Sequence, residues 1–304
     1  MPPWITLDLR GDGATRGYAL PIADGELWCD EPLAGALPAG RPPSEPTRRE
    51  AATLVYDGPG LVDGEVQRVR AAVTASGERR VELADGETFW VSRDGDRIDR
   101  DASSTGLPAS ARSVDRAIGP PLALALARRG VFVLHASAVR GADGAAALVA
   151  PPGGGKSTLA AAVRRASGSL ARIADDQLPV RLVPVPVALP RYPQPKLGLA
   201  ETYPADAPDR LPLRLLVEIR HDPSEPSVRW EWLGPAEAAI ALMRATVAAR
   251  LFDRDLLRAH LDDSARAAGM LRVARLVYRS GLQHIGAVVA ELEAQLSPSE
   301  WAGL

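Results

Sequence analysis

The chain has 304 residues, 46% of them hydrophobic and 24% charged, enough for one large or two modest domains; whole-chain disorder, collagen and coiled coil are excluded. Its 36 basic and 38 acidic residues nearly cancel, so no overall field draws a nucleic acid or an anionic membrane to it. Cys29 is the single cysteine, the four histidines are scattered and no CxxC occurs, so neither an intrachain disulfide nor a structural zinc site is expected, and a reducing, cytoplasmic setting fits.

The opening residues, MPPWITLDLR, lack a basic-then-apolar leader pattern. From there to about residue 105, short apolar runs (Ile5–Leu9, Tyr18–Ile22, Thr53–Tyr56, Val81–Leu83, Phe89–Val91) alternate with Asp-Gly pairs that begin at Asp12, Asp24, Asp57, Asp63, Asp85 and Asp94. Asp-Gly accepts the positive φ of tight hairpin turns, so antiparallel sheet is expected, with a proline-rich loop over Glu31–Glu50. Ser110–Arg129 reads as helix, split by Pro120-Pro121 and stopped by Gly130. The most apolar stretch, Pro121–Val139, is interrupted by Arg128 and Arg129, so no membrane span is expected.

The run VFVLHASAV (131–139) then reads as one strand, joined by a short turn to AAALVA (145–150) as a hairpin that enters a glycine loop, with helix from Ser157 to Arg165. Strand-like runs follow at Val180–Leu189, Leu213–Arg220, Val228–Leu233 and Leu271–Tyr278. Helical spacing occupies Pro235–Phe252, Arg254–Met270 and Leu282–Leu296. The expected architecture is a smaller β-rich domain over 1–105 and a mixed α/β domain over 106–304.

Chemistry concentrates in APPGGGKST (150–158), between an apolar strand and an amphipathic helix. Gly153, Gly154 and Gly155 let successive N–H groups curl inward, and the helix N-terminus favours an anion. Lys156 supplies a point charge for the β- and γ-phosphates of a nucleotide, the Ser157 hydroxyl is placed to ligate Mg²⁺, and Thr158 adds a hydroxyl near the α-phosphate. The first position of this P-loop pattern is Ala150 rather than glycine. Lysine occurs only at Lys156 and Lys196; every other basic residue is arginine, which does not replace a compact ammonium in a tight loop. Downstream, Asp175 and Asp176 close the short run RIADD. Adjacent carboxylates at a strand end point to different sides, so one can meet a metal and the other an incoming hydroxyl. The expected hairpin brings His135 toward this pair, close enough to tune Asp175.

In order, HASAV, a short hairpin, GGGKST and ADD resemble the C-terminal catalytic domain of HPr kinase/phosphorylase. They resemble more closely the HPr-kinase-related proteins encoded with peptide natural products, lasso peptide kinases included. The resemblance covers about residues 106–296. It implies the mixed-sheet P-loop fold shared by HPr kinases and ATP-type phosphoenolpyruvate carboxykinases, with ATP and Mg²⁺ as cofactors. It also implies that Lys156 and Ser157 bind phosphate and metal, that Asp175 is the base with His135 as its partner, and that Asp176 is the metal-linked acid. Lys196, in a proline-rich stretch after the acidic pair, would neutralise phosphoryl charge in transfer, a role Arg191 or Arg220 could share. The expected activity is transfer of a γ-phosphate to a serine-type hydroxyl of a peptide or small protein, with the N-terminal domain for recognition. A small hydroxylated metabolite such as free serine, or a nucleotide-sensing module without turnover, are the alternatives. No nucleic-acid or membrane partner is expected, and homo-oligomerisation is left open.

Overall fold

A computed structural model describes residues 4–10, 15–32, 37–42, 50–62, 65–106, 108–193 and 208–297. The chain forms two units: Met1–Phe132 with Val247–Arg258, and Val133–Thr246 with Ala259–Leu304. Both are built on a large mixed sheet, so the protein is mixed α/β.

In the first unit the strands are β1 (Trp4–Asp8), β2 (Arg16–Ile22), β3 (Gly25–Cys29), β4 (Leu37–Gly40), β5 (Ala52–Val62), β6 (Glu65–Thr74), β7 (Arg79–Leu83), β8 (Thr88–Val91) and β9 (Arg97–Arg100). They lie in the order β4-β2-β3-β1-β9-β8-β7-β6-β5. The sheet is not purely antiparallel as expected, because β1 runs parallel to both β3 and β9. Asp85-Gly86 and Asp94-Gly95 stand at hairpin turns as their chemistry predicts, with φ of +87° and +71° at the glycines; at the β2–β3 turn the positive φ, +50°, falls on Ala23, and Gly25 is already in β3 opposite Ile22. Asp57-Gly58 instead lies inside β5, where the Asp57 carboxylate accepts two hydrogen bonds from Arg68 across the β5–β6 pair. The pairs at Asp12 and Asp63 lie outside the described residues, and β4 occupies part of the expected 31–50 loop.

The expected boundary at 105/106 is corrected by what the next helices touch. These are α1 (Ala102–Thr105), α2 (Ala111–Ala117) and α3 (Pro120–Arg128). On α2, Ser113 and Arg116 donate to the buried Glu87 carboxylate at 2.7 and 2.8 Å, and Arg100 Nε reaches it at 2.7 Å. Beyond α2, Arg128 donates to the Arg93 carbonyl and Arg129 to that of Trp4, each at 2.9 Å. Residues 247–258 complete the unit: Asp253 pairs with buried Arg79, and the Phe252 ring lies 6.3 Å from that of Phe132.

The second sheet holds β10 (Phe132–Leu134), β11 (Ser137–Arg140), β12 (Ala145–Val149), β13 (Ala171–Ala174), β14 (Leu178–Arg181), β15 (Val187–Ala188), β16 (Leu211–His221), β17 (Arg229–Trp232) and β18 (Arg272–Tyr278). Its order is β10-β14-β15-β16-β12-β11-β13, with β18 parallel to β16 and β17 antiparallel to β18. One face is covered by α4 (Lys156–Ala166) and by α7 (Ile285–Gln295), over a core of Leu148, Leu159, Val163, Val217, Ile219 and Val288. The expected helix 235–252 is shorter, α5 (Pro235–Ala245), ended where Thr246 turns extended; the following helix, α6 (Arg254–Ala267), stops at Ala267. No helix among the described residues is long and apolar enough to cross a membrane.

The strand expected over 131–139 is two strands. β10 pairs with β14, β11 pairs with β12 and β13, and His135-Ala136 form the break between them. The break is held by distant backbone: His135 N–H donates to the Ala245 carbonyl at 2.7 Å and Ala136 N–H to that of Asp176 at 3.1 Å. The histidine therefore stands where the chain changes its sheet partner.

On α6, His260 is wholly buried, its Nε2 lies 3.0 Å from the Thr246 hydroxyl, and burial lowers its pKa to about 4. A free histidine titrates near 6.5, so between those values the unfolded chain takes a proton that the folded chain refuses. Stability is expected to fall by about 1.4 kcal/mol per pH unit over that window, about 3 kcal/mol in all. Urea titrations at several pH values check this: His260→Gln should lack the slope, and an equal slope in the variant would assign it elsewhere.

Candidate functional site

β12 ends at Val149 and α4 begins at Lys156, so residues 150–155 form the turn between an inner strand and a helix packed on it. Two glycines there are required by geometry. A Cβ on Gly154 would stand 2.7 Å from the Ala150 Cβ and 2.9 Å from the Pro151 carbonyl oxygen. Gly155, the residue that caps α4, has φ +86°, where L side chains are strained. Gly153 also has positive φ and faces open space.

Lys156 is buried, and its ammonium folds back to donate to the Ala150 carbonyl at 3.0 Å and to His135 Nε2 at 3.1 Å. An ammonium only donates, so Nε2 is the acceptor and the ring proton of neutral His135 sits on Nδ1. That nitrogen faces Asp176 Oδ1 at 3.7 Å. Sequence reasoning expected the imidazole against Asp175; here Nδ1 faces the Asp176 carboxylate, and the break at His135-Ala136 hydrogen-bonds to the Asp176 carbonyl. Asp176 has φ +96°, a conformation that for a non-glycine residue costs of order 1–3 kcal/mol and clusters at functional positions.

Asp175 is buried and held from two sides. Ser137 Oγ donates to Oδ1 at 2.6 Å, and Arg172 Nη1 stands 3.8 Å from Oδ2. The antiparallel pairing of β11 with β13, Ala138 opposite Ala174, places the serine beside the carboxylate. Sequence reasoning gave Ser137 no role; the available signal was a hydroxyl two residues after His135 in an otherwise apolar run. Ser157 and Thr158 are exposed in the first turn of α4. Lys196 lies outside the described residues. Of the arginines that could share its role, Arg191 pairs with Asp209, and Arg220 stands 3.9 Å from Glu218.

This donor set fits a polyphosphate with Mg²⁺. It holds an ammonium, two accessible hydroxyls, a helix N-terminus and an acidic pair just after β13, two strands from β12 across β11. Among the described residues no group of three or more His, Cys, Asp or Glu is placed to hold a metal alone. Mg²⁺ bound through one or two side chains plus substrate phosphates does not need such a group.

No protein-family model matches the chain, and no curated protein matches it. Among solved structures it is similar to the HPr(Ser) kinase/phosphatase from Coxiella burnetii, at 12% identity and a TM-score of 0.31, over 56% of this chain and 99% of that one. So remote a likeness carries no argument about individual residues, which stand on their own geometry.

Proposed function

We propose that this chain is a cytoplasmic, ATP- and Mg²⁺-dependent kinase with an HPr-kinase-like P-loop domain, and that its acceptor is a serine-type hydroxyl on a peptide or small protein, such as a lasso-type precursor. The observation that supports it is a continuous polar path from the glycine loop to the acidic pair: Lys156 to His135, His135 to Asp176, with Asp175 adjacent. A packing histidine has no need of a lysine on one nitrogen and a carboxylate by the other.

Bound ATP and Mg²⁺ would supply the phosphoryl group and the charge that neutralises its transfer. Lys156, Gly153 to Gly155 and Thr158 would hold the phosphates; Ser157 and Asp176 would hold the metal. Asp175 takes the proton of the acceptor hydroxyl, its oxygen oriented by Ser137, and Lys196 offsets charge on the transferring group. The work is positioning and electrostatics, with no covalent enzyme intermediate. A second reading exchanges the two aspartates, favoured by the His135–Asp176 contact and the greater exposure of the Asp176 side chain, 21% against 7% for Asp175.

Incubation of the full chain with ATP, Mg²⁺ and peptides encoded beside its gene, read by mass spectrometry, tests the activity. A phosphate on serine is the expected product. Phosphorylation of free serine alone would move the acceptor to a metabolite, and nucleotide binding without turnover would make the chain a sensor. On the active acceptor, Asp175→Asn should keep Mg·ATP binding and slow transfer by about 10²- to 10⁴-fold, whereas Asp176→Asn should raise the Mg²⁺ requirement. The opposite pattern would establish the exchanged reading.

A further inference from the structure

The glycine loop has two flanks, and the residues above lie on one of them. On the other, β16 runs parallel to β12 with Val149 opposite Glu218, and continues three residues further to His221. Leu215, Val217 and Ile219 alternate onto the face that α4 covers, and by the pleat His221 is the next side chain in that row. Another apolar residue would serve if covering the helix were its only task. Instead an exposed imidazole stands there.

Its orientation is set from below. His221 pairs in register with buried Tyr278 on β18, and the two rings meet edge to face at 4.8 Å and 79°. This turns the nitrogen edge toward the loop: a Cβ built on Gly155 would lie 3.4 Å from His221 Nε2 and 3.9 Å from Cε1. Gly155 is the residue at which the loop becomes α4, so a side-chain donor abuts the point where the helix offers its first N–H groups.

We propose that His221 is a further side-chain contact for the polyphosphate, beside Lys156 and Thr158, donating from Nε2 to a phosphate oxygen on the flank away from His135. The loop then favours a di- or triphosphate chain, held between Lys156 and His221, over a single phosphate. This rests on the reading of the loop as a nucleotide site.

Calorimetric titration of the full chain with Mg·ATP, Mg·ADP and inorganic tripolyphosphate tests it. His221→Phe keeps a ring on Tyr278 and removes the donor; His221→Gln returns an N–H to nearly the same place. The phenylalanine variant should bind all three probes about tenfold more weakly, the scale of one charged hydrogen bond, and the glutamine variant should recover most of that loss. Wild-type affinity in His221→Phe, with binding lost in Lys156→Ala, would discard the His221 contact and keep the loop. Weakened Mg·ATP with unchanged tripolyphosphate would place the histidine on the nucleoside and overturn the proposal. Wild-type affinity in Lys156→Ala would discard the loop reading, and this proposal with it.

Discussion

Lys156→Ala is expected to weaken Mg·ATP binding by about a hundredfold or more, the largest expected effect on nucleotide binding. The ammonium is the point charge of the loop, and it is drawn inward by the Ala150 carbonyl and His135 Nε2 rather than extended into water. Charged hydrogen bonds are worth about 1.5–3 kcal/mol each, and the phosphate chain would offer at least one. Lys156→Arg should not restore binding, because a planar guanidinium cannot take the place of a compact ammonium folded onto its own loop. Calorimetry on the folded variants measures both. An unchanged affinity in Lys156→Ala would remove the nucleotide from the loop altogether.

The second large effect belongs to the first unit. Glu87 is buried and accepts hydrogen bonds from Arg100, Arg116 and Ser113. Removing one partner of a buried ion pair leaves charge without its counter-charge, so Glu87→Ala should cost about 3–5 kcal/mol, read as a lower urea midpoint. The pH dependence has a definite sign. Burial pushes the Glu87 carboxyl up, but the bonds from Arg116, Arg100 and Ser113 outweigh it and hold it below its ordinary 4.5. Its contribution is therefore present above pH 4.5 and lost as the pH falls below that value. Glu87→Gln should flatten this acid limb. A cost below about 1 kcal/mol for the alanine variant would mean that the network does not hold α2 to the sheet.

Features encoded within a few residues were legible in the sequence. The glycine loop, its helix and the turns at Gly86 and Gly95 each need a local backbone conformation that only certain residues take, and that requirement is written in the residue itself. The break at His135-Ala136 was not legible, since its hydrogen-bond partners are the carbonyls of Ala245 and Asp176, and a run of apolar residues gives no sign of them. Nor was the allegiance of α2: Ser113 and Arg116 read as an ordinary polar helix face until Glu87 is seen beneath them. His221 lay between these cases. The odd-numbered positions of LPLRLLVEIRH, Leu211 to Ile219, are all apolar and His221 is the next of them, so a polar residue in that row is the available signal.

The first unit is discontinuous in the chain, and this bears on its birth at the ribosome. Its sheet and three helices are synthesised by Phe132, yet Asp253, the counter-charge of buried Arg79, belongs to Val247–Arg258. Domains made first ordinarily fold first during translation. Here strands β1–β9 are all made by Arg100, but the segment that carries Asp253 emerges only after Val133–Thr246, so for that interval the nascent chain carries its sheet with Arg79 lacking this counter-charge. The contacts of Arg79 with Asp253 and of Phe132 with Phe252 close that long sequence separation, so they form late. The vulnerable species is then the elongating chain rather than the finished protein.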